Sequence, residues 1–295
     1  MITAAQKQAQ RNRGTLYVED GELLATKTFP GNQFVMRICA PKCAAAAKPG
    51  TFVHVSCDDA LPMRRPLSIM RVGDGWIEVL YKVVGEGLHL LTNKRIGDRI
   101  NLLGPIGQPF HPTRERPNCL LIGGGVGIPP MVFLAETLQG DAWNSLAILG
   151  SEIPFPFERK DSDMSTPWLA DDVSSTMPLL ESWGITTRLT SLAGFPGCFR
   201  GYVTDLAEQW LQSLDESERK KTQLFACGPT PMLKAVAALA TTYDLPCQVS
   251  LEEFMACAVG GCAGCTVEVT TPEGPAMKRV CVDGPVFDAS SVVWQ

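Results

Sequence analysis

Asn118 marks a change in the period of the apolar residues, and that change limits the folds open to this chain. From Thr15 to about Pro112, short strand-like runs follow one another: QFVMRICA, TFVHVSC, PLSIMRV, WIEVLYKVV and RINLLG, separated by Pro, Gly and Asp turns. This spacing predicts a small all-β barrel or sandwich. From Asn118 strands alternate with helical patterns: CLLIG then PMVFLAETL; SLAILG; TTRLTS then YVTDLAEQWLQSL; TQLFACG then PMLKAVAALATTY. The alternation implies βαβ units on a parallel sheet. After Pro246 the helical period stops. A cysteine-rich loop then leads into TVEVTTPEGPAMKRVCV, read as a hairpin with Pro272, Glu273 and Gly274 at its turn. The expected organisation is a tail over 1–13, a β module over 14–115, an α/β module over 116–246 and a small cysteine module over 247–295. No internal repeat interrupts it. The stretch 152–183 carries several prolines and Asp161, Asp163, Asp171 and Asp172, and reads as an extended surface connection.

Composition excludes several functions. With 45% hydrophobic and 19% charged residues, 295 residues can bury ordinary cores. A formal charge of -5, from 26 basic and 31 acidic side chains spread along the chain, offers no basic face to nucleic acid or anionic lipid. The longest apolar run, Cys119 to Ala135, is broken by glycines and prolines, so no membrane span is expected. The N-terminal MITAAQKQAQRNR lacks the apolar core of a secretion signal and reads as a solvated tail. Eleven cysteines suit no secreted disulfide framework, which favours a reducing cytoplasm.

Seven cysteines are scattered, but Cys257, Cys262, Cys265 and Cys281 follow CxxxxCxxC with a distant fourth. That is the spacing of a plant-type 2Fe-2S site. Two irons need four thiolates converging from one side. Ala258, Gly260, Gly261, Ala263 and Gly264 keep the loop free of bulk, so backbone N–H groups can reach the sulfurs and tune the potential. Structural zinc and metal-free thiols are the alternatives. Zinc sites more often show two CxxC pairs.

Three further motifs point to nucleotides. In RRPLSI an arginine beside a rigid proline, with a serine beyond, can pair a phosphate and reach a second group of the same ligand, although any surface RRP would fit. Gly85 and Gly87 can open a helix N-terminus to a pyrophosphate. LLIGGGVGIPP is a strand, a glycine loop over Gly123, Gly124, Gly125 and Gly127, and a proline-started helix. It departs from GxGxxG at Ile128, and a turn made for packing is the alternative. ACGPTPMLKAV, with Cys227, Gly228 and Pro229, ends a later strand at the edge where such sheets bind ligands; Thr230 is expected to cap the helix. Cys227 is read either as lining a nicotinamide pocket or as a buried strand-end thiol. Glu152, just after SLAILG, is placed to accept from ribose hydroxyls and repel a 2′-phosphate. His54, His89 and His111 read as surface or helix-lining residues.

In this order, RPLS (Arg65, Pro66, Leu67, Ser68), LYK (Leu80, Tyr81, Lys82), GGGVGIPP, GCFRGYVTD, ACGPTPMLKAV, the cysteine pattern and VCVDGPVF resemble the ferredoxin-reductase superfamily. Within it the chain is most similar to electron transfer subunits of NAD-dependent dihydroorotate dehydrogenases, over nearly everything after Thr15. The resemblance implies an N-terminal FAD-binding β-barrel, an NAD-binding α/β parallel-sheet domain and a small C-terminal 2Fe-2S domain. It implies FAD phosphate at Arg65, Ser68 near the flavin ring, and Gly87 and Leu88 at the pyrophosphate, with Leu88 departing from the family's threonine. It also implies cofactor contacts at LYK and at the two glycine-bearing loops, and iron at the four cysteines. The implied partner is an FMN-containing catalytic subunit, in a heterotetramer of two of each, within pyrimidine biosynthesis. Electrons would run through the cluster and FAD to NAD. A subunit of a ferredoxin-NADP transhydrogenase, sulfur reductase or hydrogenase has the same module order. A non-redox zinc module would instead be colourless.

Overall fold

The computed structural model describes residues 14–294; the expected tail over 1–13 lies outside them. The first module holds β1 (Tyr17–Phe29), β2 (Gln33–Cys39), α1 (Pro41–Ala46), β3 (Phe52–Val55), β4 (Arg65–Gly73), β5 (Trp76–Lys82), α2 (Gly85–Leu91) and β6 (Arg99–Ile106). Its strands close a barrel in the order β1-β2-β5-β4-β3-β6, so the barrel and not the sandwich forms. Alternation decides which side chains fill it. Val53 and Val55, Leu67 and Ile69, and Ile77, Val79 and Tyr81 point inward and share one core with Phe133 from the next module. The same register, with Phe52 opposite Ser68 and His54 opposite Pro66, turns those four outward. A slip of one residue would exchange the two sets.

The second module holds β7 (Asn118–Gly124), α3 (Ile128–Thr137), β8 (Asn144–Gly150), β9 (Lys160–Asp161), β10 (Ser175–Thr176), α4 (Pro178–Ser182), β11 (Thr186–Thr190), α5 (Val203–Ser213), α6 (Glu216–Lys220), β12 (Thr222–Cys227) and α7 (Thr230–Thr242). It continues into β13 (Cys247–Ser250), β14 (Thr266–Thr271), β15 (Gly274–Arg279) and β16 (Val286–Asp288). A six-stranded sheet runs β11-β8-β7-β12-β13-β16, parallel except for the antiparallel edge strand β16. All seven residues of β7 are buried, as a strand covered on both faces requires. The C-terminal segment thus supplies two strands of this sheet, and the cysteine loop with its β14–β15 hairpin is an excursion between them. CQVS is too short to read as a strand by periodicity, so a boundary at 246/247 falls inside the sheet.

Two expectations are corrected here. The stretch 152–183 is no mere surface connection: Phe155, Val173, Met177 and Leu180 are buried, β9 pairs with β10, and Arg188 Nη2 donates to Met164 O at 2.6 Å and Thr166 Oγ1 at 2.8 Å. Its apolar residues are too widely spaced among prolines to show a period, yet they cover the sheet beside β11. Thr230 does not cap α7, because Pro229 takes the N-cap position in extended conformation and Thr230 begins the helix. Among the described residues no helix is long and apolar enough to cross a membrane.

Barrel and sheet are pinned together at α3. Arg71 of β4 reaches Glu136 of α3 at 3.1 Å and Glu78 of β5 at 3.8 Å, and its guanidinium lies over the rings of Trp76 and Trp183. The strand that carries Arg65 to Ser68 and the helix after the glycine loop are therefore held in one frame.

Candidate functional site

The barrel brings Arg65 and Gly87 together from different elements. Arg65 Nη1 donates to Met63 O at 2.8 Å and Arg64 O at 3.2 Å, which fixes the guanidinium; its remaining donors make no hydrogen bond among the described residues. It lies across the first turn of α2, where a Cβ on Gly87 would stand 2.9 Å from Nη2. A Cβ there would displace the end of the Arg65 side chain, and an anion over that turn would meet the free N–H donors of Arg65. Ser68 is half-buried on the outer face of β4. LYK alternates: Leu80 joins the core shared with the α/β module, Lys82 is exposed, and Tyr81 is turned into the barrel, stacked on Phe34 at 5.4 Å. Leu67 is likewise inward, so Leu67 and Tyr81 support the site from behind. Leu88 packs its side chain against the barrel core, where a threonine would offer a hydroxyl.

At the C-terminal edge of the parallel sheet the two glycine-bearing loops meet. A Cβ on Gly127 would lie 2.2 Å from Cys227 O and 2.6 Å from Gly228 N, and one on Gly124 would lie 2.5 Å from Met232 Sδ and 3.3 Å from Pro229. Bare backbone lets β7 and β12 close up at the point where strand order reverses, the place where such sheets take nucleotides. Gly123 packs on Leu149, and Gly125 has φ +55° with open space beside it. Cys227 is buried, and burial pushes its thiol up to about 12, against a hydrogen bond with Ser250. It remains a neutral wall residue. Glu152 stands beyond the end of β8 and accepts from Leu192 N at 3.2 Å.

The cysteine loop is wound by Ala258 and Ala263, both at φ +55°, and Gly260 at φ +80°. Non-glycine residues hold that conformation at a cost of about 1–2 kcal/mol each, and here it turns N–H groups toward sulfur. Cys262 N donates to Cys257 Sγ and Gly264 N to Cys262 Sγ, each at 3.4 Å; Cys265 and Cys281 place their sulfurs 3.4 Å apart in a buried pair. Burial raises the Cys257 thiol, but the N–H groups of Cys262, Val259 and Gly261 outweigh it and bring it down to about 7. Burial and the neighbouring Cys265 push Cys281 up to about 12. Arg279, itself held by Asp283, donates to Gly260 O at 3.1 Å and anchors the loop. Among the described residues no three His, Cys, Asp or Glu side chains converge as a ready metal site; the four thiols stand as two neighbouring pairs. Four thiols with backbone N–H donors already aimed at two of them fit an iron–sulfur group.

Residues 252–293 match the iron-sulfur cluster binding domain of dihydroorotate dehydrogenase B. The dihydroorotate dehydrogenase B (NAD(+)), electron transfer subunit of Desulforamulus reducens is 31% identical over 283 residues, covering 94% of this chain and 99% of that protein. The chain belongs to this family. The electron transfer subunit of Geobacillus thermodenitrificans is 36% identical over 255 residues, covering 83% of this chain and 87% of its own. Among solved structures, an NADH-dependent reduced ferredoxin-NADP oxidoreductase superposes with TM-score 0.74 at 27% identity, covering 94% of this chain and 90% of that one. Phthalate dioxygenase reductase, at TM-score 0.55 and 12% identity over 92% of this chain and 78% of its own, shares the fold. The electron transfer subunit thus has the ferredoxin-reductase architecture, with an iron–sulfur binding domain at its C-terminus.

Sequence reasoning missed the Arg279 anchor, the Arg71–Glu136 pair and His54. His54 is no surface residue: it is 1% exposed on the outer face of β3. The signal that could have found it was strand alternation, since it stands two residues from Phe52 and shares that residue's face.

Proposed function

We propose that this subunit binds FAD on the barrel, NAD(H) at the sheet edge and a 2Fe-2S cluster at Cys257, Cys262, Cys265 and Cys281, and that it carries electrons between dihydroorotate oxidised on an FMN-containing partner and NAD. Bound, these groups supply the redox chemistry, two electrons at the flavin and nicotinamide and single electrons at iron. The protein's task is placement. Arg65 and the first turn of α2 hold phosphate, and Ser68 presents a hydroxyl to the flavin ring. Gly124 and Gly127 admit the dinucleotide, while buried Cys227 and Leu80 keep water from the space between barrel and sheet. The backbone donors around Cys257 and Cys262 stabilise thiolates. The observation that carries this reading is contiguity: Phe52, opposite Ser68 on the barrel, packs in one cluster with Ala258, Cys265 and Cys281, so the flavin segment and the cysteine loop adjoin. The assembly is proposed to contain two of each subunit.

The subunit is isolated anaerobically with its partner, and dihydroorotate-dependent reduction of NAD is measured. Activity with FAD, FMN and iron present is the expected result. The likeness to the ferredoxin-NADP oxidoreductase over 94% of the chain favours a second reading, a transhydrogenase-type subunit. That reading takes over if NADH or NADPH reduces flavin and cluster while dihydroorotate reduces neither.

A further inference from the structure

His54 is one of three histidines, and the other two, His89 and His111, are exposed. On one side its neighbour is Pro66, which has no N–H, and on the other Leu103 of β6. Arg64 Nη1 donates to His54 O at 3.1 Å and Asn101 O at 3.2 Å, which ties β3 to β6. Both ring nitrogens are buried and without a hydrogen bond. The backbone of Arg64 and of Met255, two residues before Cys257, lies close to them. Burial, with the Arg64 and Arg65 guanidinium charges, pushes the imidazole down to about 4, so it is neutral. A neutral imidazole has one N–H donor and one bare acceptor. An unmade hydrogen bond in such a place costs about 1–3 kcal/mol, where an apolar side chain would fill the volume without that cost. The ring stands where the Arg65–Ser68 segment meets the start of the cysteine loop.

We propose that His54 is a positioning residue for electron passage between the flavin segment and the cysteine loop, its ring N–H holding the backbone at Met255 against the barrel once the cysteines carry iron. The proposal rests on the reading of the two sites given above. In the step it serves, one electron would pass between a bound cluster and a bound flavin, the one oxidised as the other is reduced; no covalent bond forms or breaks, and His54 neither gains nor loses a proton. Its effect is on the loop. Met255 leads directly into Cys257, so its anchorage sets where the Cys257 sulfur and the N–H groups around it lie, and those groups set the potential of a bound cluster.

The test uses the full chain, purified anaerobically with flavin and iron quantified, and NADH as reductant. His54→Phe keeps the bulk and removes both nitrogens, whereas His54→Gln keeps a donor and an acceptor. For His54→Phe, flavin reduction by NADH is expected within twofold of wild type. Cluster reduction is expected to be slowed tenfold or more, with a shifted midpoint potential and a broadened EPR spectrum; His54→Gln is expected to recover to within threefold. Cluster reduction, potential and spectrum all unchanged in His54→Phe overturn the proposal alone. Wild-type protein without flavin or iron, or not reduced by NADH, overturns the functional reading and this proposal with it. A second readout needs no variant: in iron-loaded wild type labelled with ¹⁵N-histidine, one ring N–H is expected in slow exchange with water, and its absence overturns the proposal.

Discussion

Replacing Gly127 by alanine tests whether the nucleotide site depends on the close approach of two strands. At φ -84° the residue has an ordinary backbone conformation, so the substitution acts by volume alone. The new methyl would stand 2.2 Å from Cys227 O, 2.3 Å from the carbonyl carbon and 2.6 Å from Gly228 N. Ordinary carbon contacts lie near 3.5–4.0 Å. All three atoms are backbone at the end of β12, which is hydrogen-bonded on both sides to β7 and β13, so no side chain can swing aside. A loop must move by about an ångström, and overpacking of this kind costs about 1–3 kcal/mol. At roughly 2–4 °C per kcal/mol, melting falls by roughly 2–12 °C. If the nicotinamide binds at this loop as proposed, displacing the loop would also take it out of line, and a misplacement of about 1 Å can cost on the order of a hundredfold in rate. Stopped-flow reduction of bound flavin by NADH measures that loss, and calorimetry measures the first. Gly140→Ala is the control: at φ +94° with nothing near its Cβ, beyond the far end of α3, it strains the backbone without touching the site. It should lower melting and leave NADH reduction alone. Gly127→Ala with wild-type melting and NADH kinetics would refute the reasoning.

Arg65→Ala removes the charge proposed to bind FAD phosphate. Hydrogen bonds to charged groups contribute about 1.5–3 kcal/mol, so FAD affinity should fall roughly 10- to 150-fold in a fluorescence titration, and full flavin retention through dialysis would exclude the role. In iron-free protein Cys257 should be alkylated with a half-maximal rate near pH 7, because its thiolate forms above about 7 while Cys119, Cys227 and Cys247 stay protonated up to about 12. Mass spectrometry of iodoacetamide-treated peptides reads this, and a profile centred near pH 9 counts against the N–H arrangement. Glu152→Ala should raise NADPH use relative to NADH by roughly tenfold, the loss of one like-charge repulsion near the surface. An unchanged preference removes Glu152 from the nucleotide site.

What was legible in the sequence was whatever depends on period or on close spacing. Alternation in WIEVLYK and the apolar run from Cys119 to Ile122 depend only on neighbours along the chain, and they yielded barrel and sheet; the spacing of Cys257, Cys262 and Cys265 is likewise a local pattern that marks iron. What escaped depends on partners distant in the chain. Gly127 is visibly a glycine, but the carbonyl that forbids any larger residue belongs to Cys227, a hundred positions away. Tyr81 was grouped with Leu80 by a motif, and strand geometry then sent it to the opposite face. The 152–183 stretch hid its core residues among prolines because it covers the sheet without a repeating element of its own. His54 combines both cases. Its alternation with Val53 and Val55 placed it outward, which in a solvated barrel would mean the surface. Phe52 and Met255 show instead that the cysteine module covers this face, so an outward polar residue becomes a buried one at the junction of the two proposed redox sites. A module boundary therefore reverses the meaning of the binary pattern, and the outward polar residues of β3 and β4 are where sequence reading and function diverge.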